Sequence, residues 1–152
     1  WIFLLIIFTV GVVQATFLDT FKFFNVKPDL LLITVVIASF SFDLRLALAL
    51  SIFSGILKDI FSLNSFGLNT LLSALWSFLL IKLLKKITLD DNFIRALLLF
   101  MIVAFNGVII KLICISQGQF IPIGIFLRTL FFESLYTAAI LPLAFKVLKP
   151  VL

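Results

Sequence analysis

Charges are so sparse along this chain that the uncharged runs between them constrain the fold more than any other feature. Trp1–Leu18 has no charge in eighteen residues, and Leu30–Phe42, Leu46–Leu57, Phe66–Ile81 and Ala96–Ile110 follow with thirteen, twelve, sixteen and fifteen. A soluble protein of 152 residues, 64% of them hydrophobic and 12% charged, could not keep that much apolar area from water. Ordinary soluble domains are roughly 45–50% apolar and about 25% charged. The chain therefore reads as an all-α integral membrane protein. Fully helical it would extend about 228 Å, at most about seven crossings of a ~30 Å hydrocarbon core, and five or six once loops are subtracted.

The breaks between runs set a single transmembrane domain over residues 1–152, with spans at about 1–18, 30–42, 45–61, 66–84, 96–116 and 122–148. Pro28 suits the start of the second span, because the N–H it lacks would be unsatisfied there anyway. Asp43 and Arg45 separate the second and third segments. Two short spans joined at Ser41–Arg45 are preferred to one overlong helix carrying both charges through lipid. Ser62–Ser65 reads as a turn, Gln117-Gly118-Gln119 ends the fifth span and Pro122 opens the last. Val13-Gln14-Ala15 loosely resembles a signal-peptidase site, but the later membrane segments and the length of the first run argue against a cleaved leader. Because the chain begins at Trp1 rather than Met, a native start ahead of it is expected.

The Lys/Arg distribution orients the six spans. With the amino end inside, Arg45, Lys82, Lys85, Lys86, Arg95, Lys146 and Lys149 fall on the inner side, and only Lys22 and Lys27 lie in outer connections. Both termini are expected to be cytoplasmic; a five-span arrangement would move Trp1 outside.

Composition also removes chemistries. With no histidine and one cysteine, Cys114, the chain can build neither a zinc site nor an internal disulfide, and no cofactor is expected. Nucleotide-binding glycine loops and nucleophile elbows are absent. A net charge of +5 confined to short loops gives no nucleic-acid footprint, and Cys114 reads as an inert buried thiol.

An ionisable side chain inside a span is costly in lipid, so Lys58, Asp59, Lys111, Arg128 and Glu133 each need a partner or a function. At 1.5 Å per residue, Asp59 lies about 21 Å and Lys111 about 24 Å from the inner face, while Arg128 and Glu133 lie about 9 and 16 Å from the outer one. Gln14, Asn69 and Asn106 fall in the same half, so the outer half of the bundle is expected to be polar inside and the inner half dry. Ala47, Ser51, Gly55 and Asp59 form a ridge of period four, continued on the next helix by Asn69, Ser73 and Ser77, which suits close helix packing. Asp59 is expected to pair with Arg128 or Lys111, and Glu133 with Lys58 or Lys111. Lys111 could equally snorkel to the headgroups.

The run Gly55-Ile-Leu-Lys-Asp59-Ile-Phe-Ser-Leu-Asn-Ser-Phe-Gly67-Leu resembles the GLxxDxxxxxxxGL signature of the rod shape-determining protein MreD family. Pro28-Asp29-Leu-Leu-Leu at the second span and Gln14 late in the first are also similar. Lys58 beside Asp59, and Glu133 in the last span, depart from the family pattern. The resemblance implies a non-enzymatic scaffold in the bacterial cytoplasmic (inner) membrane, serving cell elongation, rod shape and peptidoglycan synthesis. Implied partners are the single-span protein MreC and, with it, MreB, RodA and a penicillin-binding transpeptidase. The connection Asp19–Asp29 is the expected outer loop contact, and the apolar faces and small-residue ridges are candidate helix contacts.

Two other classes compete with this reading. The vitamin-binding membrane subunit of an ECF-type transporter is also a small six-span protein, and Gly11 and Ala15 loosely fit its helix contacts. Two tryptophans, one tyrosine and no histidine offer little to line a polar ligand site. An intramembrane enzyme would need a carboxylate pair such as Asp59 and Glu133. Asp90 and Asp91 precede a helix, where capping explains them.

Overall fold

A computed structural model of the chain describes residues 1–16, 20, 26, 28–62, 67–88 and 90–150. Among these, six α-helices and no strand are formed: α1 Ile2–Thr16, α2 Leu30–Ser41, α3 Leu44–Phe61, α4 Leu68–Leu84, α5 Asn92–Ser116 and α6 Ile123–Leu148. The stretch from Leu30 to Phe61 is two helices, because Phe42 and Asp43 adopt extended backbone between them. The fifth helix begins at Asn92, four residues before the expected Ala96. Asp91 is its N-cap residue but makes no side-chain cap bond, so the capping expected of it is not formed. Among the described residues, only α5 and α6 are long and apolar enough to cross a membrane by length and composition.

The shortest helix is the hub. Twelve residues make α2 about 18 Å long, well short of a hydrocarbon core. Nine of the twelve are buried, from Leu31 through Ser39, because α2 packs on α1, α3, α4, α5 and α6. A helix apolar on all sides is stable where protein surrounds it. Around it, Ile7, Leu31, Val36, Ile37, Leu80, Leu99 and Leu141 form the core.

Against that core, α3 and α4 pack as a pair and α5 and α6 as another. The expected ridges meet: Ala47, Ser51, Gly55 and Asp59 of α3 and Asn69, Ser73 and Ser77 of α4 are all buried. A Cβ on Gly55 would run into Ser73 Oγ and lie 2.5 Å from the Thr70 Cα, so only glycine lets the backbones approach this closely. Ser73 Oγ donates to the Ser51 carbonyl at 2.8 Å, and Ser39 and Ser77 join hydroxyls across α2 and α4 at 3.0 Å.

The second pair is built differently. Each of α5 and α6 buries only four residues, and their exposed faces carry Phe93, Met101, Phe105, Leu112, Ile125, Phe131 and Leu143. A helix turning its apolar side chains outward is matched to lipid or to another apolar helix.

Candidate functional site

The carboxyl end of α3 meets the amino ends of α2 and α4, and the polar residues singled out in the sequence gather there. The first turn of a helix leaves four N–H groups without intrahelical acceptors, and in an apolar setting each must find one. At α2, Asp29 Oδ1 accepts the Leu32 N–H at 3.1 Å and Gln14 Oε1, from α1, accepts the Leu31 N–H at 2.9 Å. The Asp29 N–H in turn donates to Thr137 Oγ1 of α6 at 3.2 Å. Pro28, just before, has no N–H to satisfy. Lys58 closes the cluster with an ion pair to Asp29, whose side chain is 3% exposed.

At α4 the same task falls to Asp59. Its Oδ1 accepts the Asn69 N–H at 3.1 Å and the Asn69 Nδ2 at 3.0 Å, while its Oδ2 accepts the Thr70 N–H at 3.1 Å and the Thr70 hydroxyl at 2.5 Å. Gly67, with φ of +90°, turns the chain into α4 through a conformation that disfavours a side chain. Both carboxylates thus sit at the positive ends of helix dipoles. Neighbouring residues Lys58 and Asp59 divide the work, one reaching the cap of α2 and the other capping α4. Among the described residues no buried side-chain nitrogen or oxygen lacks a hydrogen-bond partner.

Compared with known protein families, the chain matches rod shape-determining protein MreD over residues 1–151. The chain belongs to the MreD family. Comparison with curated proteins and with solved structures returned no match. Family membership fits a role in rod-shape determination. The geometry also gives the signature a physical content: Gly55 permits close approach, Asp59 caps, and Gly67 admits the turn into α4. Lys58 is accounted for by its pairing with Asp29.

Beside these caps lies a cavity of about 230 Å³ lined by Lys58, Asn69, Asn106, Lys111, Thr129 and Glu133, among others. Trp76 Nε1–H donates to Asn106 Oδ1 at 3.2 Å, and the Lys111 ammonium stands 5.4 Å from the Phe126 ring centroid. Glu133 lines the same cavity as Lys58 and Lys111 but makes no direct ion pair among the described residues.

Several expectations are corrected. Asp59 pairs with neither Arg128 nor Lys111, because the first turn of α4 brings four donors to it. Arg128 lies on the exposed side of α6 rather than in the polar interior. Lys111 turns to the cavity and the Phe126 ring rather than snorkelling. Cys114 is half-buried, not buried. Most of the Asp19–Asp29 contact and of the Ser62–Ser65 turn lies outside the described residues.

Thr70 and Thr137 were not singled out in the sequence. Thr70 could have been found as a hydroxyl in the first turn of a helix that begins after a glycine. Thr137, fully buried between apolar residues, gives no local signal, since its hydroxyl already bonds the Glu133 carbonyl four residues back.

Proposed function

We propose that this chain is a non-enzymatic membrane scaffold of the bacterial cell-elongation machinery that binds the single-span protein MreC. With MreC it would gather MreB, RodA and a penicillin-binding transpeptidase for peptidoglycan synthesis. The observation that carries this reading is the family match over residues 1–151. The architecture supports it: α5 and α6 turn broad apolar faces outward, as a protein that holds other membrane helices requires.

In this reading the chain is a single transmembrane domain of six spans in the cytoplasmic membrane, with both termini inside. The loop charge bias and the outward apolar faces support that topology. α2, too short to span unaided, would be carried within the bundle by the helices around it.

A second reading, a vitamin-binding subunit of an ECF-type transporter, finds support in the cavity beside Lys111 and Glu133. At about 230 Å³ the cavity is smaller than the ~300–1,000 Å³ usual for such ligands. Affinity capture from native membranes separates the two. Recovery of a single-span wall-synthesis protein is expected, and recovery of transporter ATPases would overturn the scaffold.

A further inference from the structure

The end of the molecule opposite the caps carries a second polar region with a different character. Between α5 and α6 a cavity of about 490 Å³ is lined by Asn92, Arg95, Pro142, Phe145, Lys146 and Lys149. Three of the six are cations and none is an acid. The Arg95 guanidinium is seated against two rings, 5.4 Å from the Phe40 centroid and 5.5 Å from that of Phe145. Those rings meet edge to face at 5.9 Å, so the planar fork is held against an aromatic wall rather than left to swing.

Helix electrostatics explain only part of this. Lys146, in the last turn of α6, and Lys149, its C-cap, sit where a helix dipole favours cations. Arg95 is in the first turn of α5, where the dipole disfavours a cation and the exposed N–H groups favour an anion. A guanidinium, two ammonium groups and a helix N-terminus therefore line one cavity, which Pro142 and Phe145 also border with apolar surface.

Depth fits the same ligand. α5 and α6 have 25 and 26 residues, about 37 and 39 Å of helix against a ~30 Å hydrocarbon core. If these helices span, their ends reach the headgroup layer. We propose that this cavity binds the phosphate of an anionic phospholipid, with the glycerol and upper acyl chain against Pro142 and Phe145. The proposal rests on the membrane-spanning reading given above. The shared chemistry is a phosphate, and the two sources to separate are a lipid headgroup and free phosphate.

The test uses the full chain in nanodiscs of phosphatidylcholine with a minor share of phosphatidylglycerol, with retained lipid counted by native mass spectrometry. Wild type is expected to retain phosphatidylglycerol preferentially, and K146Q/K149Q to lose that preference by roughly fivefold per lysine removed. The control K82Q/K85Q/K86Q, which removes more charge from the neighbouring connector, should retain it. Equal retention by wild type and K146Q/K149Q, or equal loss in the control, would overturn the assignment. Displacement by millimolar inorganic phosphate would overturn the lipid source. A chain that does not enter nanodiscs would bring down the membrane reading and this inference with it, whereas an embedded chain without lipid preference brings down the inference alone.

Discussion

The α3–α4 pair and the α5–α6 pair use the same apolar alphabet to opposite ends. Between α3 and α4 the backbones are brought together by Gly55 and a run of serines, whose hydroxyls bond within the pair or to α2. α5 and α6 are longer, bury four residues each, and leave Phe93, Phe105, Leu112, Ile125, Phe131 and Leu143 exposed. One pair is organised to hold its own shape, the other to meet surroundings as apolar as itself. Substitutions that are severe in the first should therefore be mild in the second.

The largest effect is expected at Gly55. In Gly55→Leu the new side chain meets the Thr70 backbone, which cannot swing aside, so a loss of at least about 3 kcal/mol is expected, seen as absent or aggregated protein on size exclusion. Gly124→Leu on α6, where nothing lies within 4 Å, should leave the melting temperature in detergent unchanged. Similar losses at both glycines would erase the contrast between the pairs.

Asp59→Ala comes next. It strips four hydrogen bonds from the start of α4 and leaves two backbone N–H groups without their acceptor, so a loss of about 2–3 kcal/mol is expected in thermal unfolding. Asp59→Asn, which keeps one carbonyl oxygen, should lose less. An unchanged Tm in Asp59→Ala would show that water replaces the cap and that the interior is wetter than its hydrogen bonding implies.

Lys58 and Asp29 are then separable by a double-mutant cycle. Lys58→Met and Asp29→Asn should each destabilise, and the double variant should be about 1–3 kcal/mol better than the sum, because the second change removes the stranded charge. Additive losses would mean that the two side chains act independently. Gln14→Ala, which removes one acceptor from α2, is expected to lose about 1 kcal/mol by the same measurement.

Smallest of all is the stability effect of Phe105→Ala on α5, whose side chain is 59% exposed: under about 0.5 kcal/mol. Its readout is partner recovery from membranes. A large fall in Tm instead would show that this face packs within the chain's own fold.

Much of this was legible before any coordinates. Helix existence, a break within Ser41–Arg45 and the period-four ridges are properties of short windows, set by where charge, proline and small residues interrupt apolar runs. The grouping of Gln14, Asp29, Asp59, Asn69, Lys111 and Glu133 near one end was legible too, since position along a helix translates into depth at 1.5 Å per residue. Arg128 broke the pattern because depth says nothing of which side of a helix faces in. The partners of the charges were not readable either, since at least two cations lay within plausible reach of each carboxylate.

Local composition and a fixed rise per residue were enough to give five or six spans, their order and the end at which polar side chains collect. Only the tertiary structure decided that Asp59 serves the first turn of α4, that Lys58 reaches back twenty-nine residues to Asp29, and that Gln14 completes α2. The physical reason is that unsatisfied N–H groups at helix starts compete with cations for the same carboxylates. The winner is set by how closely the helices approach, which here depends on a glycine and the hairpin it permits.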